Sequence, residues 1–276
     1  MESALDYLIV GHITQDMLSD GSFAPGGTVY YSSRTAQILG QKAGIVTSIN
    51  GTVDLSEFKN IEIVSKKSTH NTVFENQYTP KGRIQFIHNR ASDLNINDIP
   101  KNWQNAPVIH LGPIAAEVDG KMVTMLQNSF VGLTPQGWLR KWDAKGLVSF
   151  SDWENAANVI PHVDAVVLSI EDVIGDWSFI EKWKKLAKVL VVTLGAQGAV
   201  IYCDSQEIRL PAPKVNEVDP TGAGDVFAAA FFIRLYKTKD PVAAGKFAIS
   251  IASSSVEDHG LNGVKYKNPD SEQVEE

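Results

Sequence analysis

Short apolar runs punctuate the chain: YLIVG at 7–11, GIVTSIN at 44–50, PVIHLG at 107–112, DAVVLS at 164–169 and KVLVVTLG at 188–195. They are continuous rather than alternating, the pattern of strands covered on both faces. Between them, segments of helical character run over 27–40, 119–129, 176–187, 224–237 and 240–256. Strand and helix taking turns in this way predicts an α/β fold, a doubly wound and mostly parallel sheet flanked by helices.

One region has a different period. Residues 69–90, THNTVFENQYTPKGRIQFIHNR, alternate polar and apolar around the turn-forming TPKG, as a half-exposed antiparallel hairpin does. Such a hairpin is either a small β lid over a site or an edge extension of the main sheet, and alternation alone leaves both open. As a lid it would be joined by residues 13–26. The acidic tail NPDSEQVEE is expected to fray.

A chain of 276 residues, 43% hydrophobic, can bury one large core, so a single domain over 1–276 is expected. Lys and Arg number 25 against 32 Asp and Glu, and no basic run is interleaved with aromatics, which argues against a nucleic-acid partner. The opening MESALDYLIVGH enters an apolar run too short for a signal sequence, and no later stretch approaches eighteen apolar residues, so no membrane partner and a cytoplasmic location are expected. The one cysteine, Cys203, lies within GAVIYC and reads as a small buried residue rather than a nucleophile. His12 and His110 sit at the end of and within apolar runs, without partners at ligand spacing, and read as pocket-wall or core residues.

The chemistry concentrates in DPTGAGDVFAAAFF, Asp219 to Phe232. A dinucleotide fingerprint would need a small residue where Phe227 stands, and a preceding buried strand where PAPKVNEVDP is found. A Walker A loop fails at Gly245-Lys246, which Phe247 follows in place of Ser or Thr. Gly222 and Gly224 nevertheless let successive N–H groups converge at the start of an apolar helix, whose dipole favours an anion at the same spot. Asp225, in the first turn, is then either an ordinary helix-start acid or a base beside a bound phosphate.

DPTGAGD resembles the C-terminal signature of the ribokinase-like (PfkB) carbohydrate kinases, Asp-Thr-x-Gly-Ala-Gly-Asp. Other stretches agree in order. YLIVGHITQD is similar to the family's first strand, ending at a substrate-binding acid, here Asp16. GGTVYYSSRTAQILG resembles the early Gly-Gly loop and its helix, VVTLGAQGAVIY the nucleotide-binding strand pair, and AAGKFAISIAS the helix closing over the adenine. The resemblance covers about residues 5 to 265. It implies Asp225 as catalytic base, Gly222, Ala223 and Gly224 as the anion hole, and Thr193, Gly195, Gly198, Ser169 and Thr221 around the nucleotide. Gly26 and Gly27 join Asp16 on the substrate side.

The sequence departs from that pattern in two places. Tyr31 and Ser33 stand where G-G-x-x-x-N-x-A carries Asn and Ala, removing an amide that commonly holds sugar hydroxyls. The Asn-x-x-Glu motif becomes Ser169-Ile170-Glu171-Asp172, so Mg²⁺ and its water would fall to Glu171 or Asp172, which point opposite ways if the segment is a strand. VGLTPQGWLRKWD at 131–143 resembles myo-inositol kinase-like members and offers Gln136 and Arg140 to the substrate, while Trp138, Leu139 and Trp142 equally suit a packed surface helix.

The expected function is an ATP-dependent kinase acting on a hydroxyl of a small polyhydroxylated molecule. Its cofactors would be ATP and Mg²⁺, with a monovalent cation as an allowed addition, and it would work as a monomer or homodimer. An inositol-like acceptor is favoured. A nucleoside or ribose kinase and a non-catalytic ligand sensor on the same fold are the alternatives.

Overall fold

A computed structural model of the chain describes residues 5–79 and 82–266. The centre of the TPKG turn and the acidic tail lie outside the described residues.

The main sheet has nine strands: β1 (Tyr7–Val10), β4 (Ala43–Ile49), β5 (Glu62–Lys67), β8 (Val108–Leu111), β9 (Phe130–Leu133), β12 (Ala165–Ser169), β13 (Val189–Thr193), β14 (Ala199–Cys203) and β15 (Gln206–Leu210). Their order is β15-β14-β13-β12-β9-β8-β1-β4-β5. Pairing is parallel from β5 to β13, and β14 and β15 are added antiparallel. The parallel strands therefore all present their carboxyl ends along one edge, where doubly wound sheets place their ligands.

Strand side chains alternate between two cores, as a period of two requires. Tyr7 and Ile9 face the layer of α1 (Gly27–Ile38), α4 (Ala223–Thr238) and α5 (Pro241–Ser255). Leu8 and Val10 face the opposite core, with Trp103, Met122, Ile160 and Trp183. That second layer holds only two short helices, α2 (Ala156–Val159) and α3 (Trp177–Trp183). The predicted helix 119–129 is a 3-10 segment, Gly120–Met125, capped by Asp119. α4 comes close to the sheet because Gly132 has no side chain: a Cβ there would meet the Phe232 ring at 2.5 Å.

The alternating hairpin does not extend the main sheet. β6 (Thr72–Thr79) and β7 (Gly82–Asn89) join β2 (Thr14–Met17) and β3 (Phe23–Gly26) in a separate sheet of order β3-β2-β6-β7. Asp16 consequently belongs to this small sheet, opposite Ala24 and Phe74, and not to the end of the first strand as expected. β1 stops at Val10 because the Gly11–Ile13 segment turns away to start the new sheet.

The surface helix that Trp138, Leu139 and Trp142 equally suited does not form. Residues 130–133 are β9, Gln136–Leu139 form a 3-10 turn, and β10 (Arg140–Trp142) pairs with β11 (Val148–Phe150). Leu139 is buried and Trp138 stacks on Trp153 at 4.6 Å, so these apolar residues pack the turn rather than a helix face. Among the described residues no helix is long and apolar enough to cross a membrane.

Candidate active site

α4 begins where the sequence sets its two glycines. Gly222 is left-handed, with φ 77°, and the Tyr31 ring lies against its open side. A Cβ added at Gly224 would meet nothing within 4 Å, so the space in front of the helix is clear there. Asp219 braces the preceding turn, accepting from the N–H of Thr221 at 3.0 Å and of Gly260 at 3.1 Å. The Ala223 N–H leans to the Pro220 carbonyl at 3.2 Å, whereas that of Gly224 has no acceptor among the described residues. Unsatisfied N–H groups and the positive end of a sixteen-residue helix make this an anion-favouring point.

Asp225 follows directly and is half-buried. Burial pushes its pKa up to about 6. A hydrogen bond from the Thr28 side chain opposes that rise, the nearby Asp172 carboxylate adds to it, and Arg140 reduces it. Thr28 is itself seated against Gly112, where a Cβ would meet its Cγ2 at 2.8 Å. The result is a carboxylate mostly ionised at neutral pH yet basic enough to take a proton, the tuning a general base needs.

The acceptor side comes from the small sheet and the segment after β9. The Asp16 carboxylate closes on Gly26, where an added Cβ would lie 2.5 Å from Oδ2, and Gly27 crowds Thr14 in the same way. Asp16, Asp219 and Asp225 all bear on the Tyr31 phenol, whose pKa is raised first by burial and then by these carboxylates. Tyr31 thus lies between Asp16 and the Gly222 turn. The Arg140 guanidinium stands over the Phe74 ring at 5.9 Å and donates to the Ile114 carbonyl at 3.4 Å.

Gln136 donates to Asp172 Oδ1 at 2.8 Å, and Asp172 Oδ2 accepts from the Ser169 N–H at 2.9 Å. Ser169 and Asp172 form a capping box on the 3-10 turn Ile170–Val173, so Glu171 and Asp172 are not the strand pair expected. Glu171 is exposed. Thr193 pairs with Ser169 across β13 and β12, and Gly195 and Gly198, both at positive φ, follow it around the turn into β14. Thr221 is exposed beside the Gly222 turn. Asp16, Gly26, Gln136, Arg140, Asp172 and Asp225 are therefore linked through contacts at one end of the sheet, with the Thr193–Gly198 stretch beside them.

The sequence reading missed Thr28 and Glu117. Thr28 follows the Gly-Gly pair directly, a position that could have singled it out. Glu117 is 1% exposed and accepts from the N–H groups of His12, Ile114 and Ala115, tying together the chain beyond β1 and β8. Asn71 is spent on Gln15, Thr52 and Asn50. His12 is held by Ser92 and Thr72, and His110 by Tyr7 and Thr134, as structural residues.

A doubly wound sheet with a β attachment, and a Gly-Ala-Gly helix start with a carboxylate behind it, is a ribokinase-like arrangement. Residues 178–267 match the model of the pfkB family carbohydrate kinase. The cytidine kinase of Thermococcus kodakarensis is 24% identical over 246 residues, covering 82% of this chain and 87% of that protein. Bacillus subtilis ribokinase is 45% identical over a shorter stretch of 74 residues, 27% of this chain and 25% of the relative. A pyrophosphate-dependent kinase in the ribokinase family, solved as a sulfate complex, superposes with a TM-score of 0.80 at 23% identity, covering 93% of this chain and 98% of that one. Thermotoga maritima ribokinase superposes with a TM-score of 0.70 at 21% identity, covering 95% and 96%.

Proposed function

We propose that the protein is an ATP-dependent kinase that transfers the γ-phosphoryl group to a hydroxyl of a small sugar or cyclitol, with an inositol-like acceptor favoured. One observation carries this: a carboxylate tuned to about 6 sits directly behind a helix start whose Gly224 face is open. The inositol preference is supported by a solved relative of similar fold, a pyrophosphate-dependent kinase complexed with a pyrophosphate analogue and myo-inositol, and by Tyr31 standing where sugar-binding members carry Asn.

In this reading Asp16 and Arg140 orient the acceptor, and Asp16 accepts a hydrogen bond from a substrate hydroxyl. Asp225 takes the proton of the attacking hydroxyl as its oxygen bonds the γ-phosphorus and the bond from that phosphorus to the β–γ bridging oxygen breaks, releasing ADP. The Gly222–Gly224 backbone and the α4 dipole stabilise charge on the transferred phosphoryl, while Thr193, Gly195 and Gly198 line the rest of the donor. Mg²⁺ would neutralise donor phosphate charge. Glu171 and Asp172 are the acids that would hold it. The four-stranded sheet acts as the lid.

A second reading of the donor, pyrophosphate, is favoured by that same relative. Acceptors from inositols, hexoses, pentoses and nucleosides, each assayed with ATP and with pyrophosphate, test both readings. Turnover on a cyclitol or sugar with ATP is expected. Turnover on nucleosides alone would replace the acceptor assignment, turnover with pyrophosphate alone the donor, and none with any pair would remove the kinase.

A further inference from the structure

Two polar residues occupy central strands where the pattern calls for aliphatic ones. Tyr7 on β1 and His110 on β8 are both 0% exposed, beneath α1 and α4. Such burial is costly unless every polar atom is paired. Ser32 Oγ donates to the Asp225 carbonyl at 3.2 Å, and its side chain also bonds the Tyr7 hydroxyl. Tyr7 OH lies 2.7 Å from His110 Nδ1, and His110 Nε2 lies 2.9 Å from Thr134 Oγ1.

A carbonyl only accepts, so Ser32 donates to Asp225. Tyr7 OH and His110 Nδ1 share one proton, His110 Nε2 and Thr134 Oγ1 another, and the tautomer of the ring sets which partner donates. Burial holds the imidazole neutral, with a pKa lowered to about 3, so both nitrogens cannot be protonated at once. The edge contact of Phe232, 4.9 Å between centroids, fixes the ring from the α4 side.

The chain runs from Thr134, which opens the segment bearing Gln136 and Arg140, to the α4 turn bearing Asp225. It also passes through α1, whose Thr28 bonds the Asp225 carboxyl. We infer that Thr134, His110, Tyr7 and Ser32 are positioning residues that hold the acceptor-side segment and the base in one register. This rests on Asp225 being the base of the proposed kinase. A shift of the base by a fraction of the hydroxyl–carboxylate distance is enough to slow transfer without weakening substrate binding.

The test uses the full-length protein. Nitrogen-15 NMR of labelled histidine should show a neutral His110 ring, one nitrogen protonated and the other bare. Tyr7→Phe should lower kcat between ~10- and 100-fold, with the acceptor KM little changed, and should speed amide exchange in Thr134–Leu139. Tyr7→Phe/His110→Leu fills the same space with apolar groups, so its Tm should be no lower than that of Tyr7→Phe, while kcat stays low. Recovery of kcat together with Tm, a doubly protonated His110 ring, or parental kcat in folded Tyr7→Phe would overturn the inference. A parent inactive with every acceptor removes the kinase reading alone. In that case the His110 protonation and the Thr134–Leu139 exchange still decide the chain, unchanged exchange sinking it.

Discussion

The Tyr31 ring lies so close to Gly222 that a Cβ on the glycine would meet its Cδ1 at 2.2 Å. Substitution at Gly222 therefore fails twice, through left-handed strain and through collision with the ring, whereas Gly224 faces open space and carries neither penalty. Gly224→Val is expected to keep the parental Tm and to lose donor affinity, because its side chain would fill the proposed phosphate position. Gly222→Val should lower both Tm and donor affinity. Calorimetry and donor titration distinguish the two, and normal donor affinity in Gly224→Val would remove the anion hole.

Asp225→Asn should bind the donor normally and lose about 10²-fold or more in turnover. In the parent, kcat/KM should fall with a midpoint near the Asp225 value of about 6 as pH drops, because protonation removes the base. Stability follows the opposite course. The folded pKa is raised, so this group's contribution is present below the ordinary carboxylate range and is lost as pH rises through about 6. Asn cannot ionise, so the Tm advantage of Asp225→Asn over the parent should be larger at pH 8 than at pH 4.

Shortening the β6–β7 hairpin tests the lid. The cut must spare its base, since Asn71 and Thr72 bond Asn50, Gln15, His12 and Ala91, and Phe74 is buried beneath Arg140. Replacing residues 77–84 by a Gly-containing turn should raise the ratio of donor hydrolysis to acceptor phosphorylation and weaken acceptor binding, with donor affinity unchanged. Parental values of both would leave the hairpin without a gating role.

Glu117→Ala should cost about 2–4 kcal/mol in chemical denaturation, since it strands the buried N–H groups of His12, Ile114 and Ala115. Glu117→Gln, which keeps an acceptor oxygen, should recover part of this. A loss below 1 kcal/mol for Ala would mean that water replaces the carboxylate.

The parallel strands were readable because burial on both faces imposes unbroken apolar runs, and Asp225 because a carboxylate before VFAAAFF is conspicuous. The edge strand β5, EIVSKK, carries too much charge to show as a strand, and β10 and β11 are three-residue pairs with no period to detect. Glu117 and the Tyr7–His110 pair were illegible for a different reason. Their meaning lies in partners that only the strand order brings together, and no spacing along the chain reports it. Asp16 was found as a residue but misplaced, because the departure of the chain from β1 depends on a pairing with β6.

That pairing has a consequence for how the molecule assembles. Thr14 sits beside Thr72 in the small sheet, with α1, β4 and β5 all lying between them in the chain. The two stretches must wait for those main-sheet elements to bring their ends near, because closing so long a loop first yields few contacts for the entropy lost. The four-stranded sheet is thus expected to form last and to detach first by local unfolding, while the nine-stranded sheet stays in place.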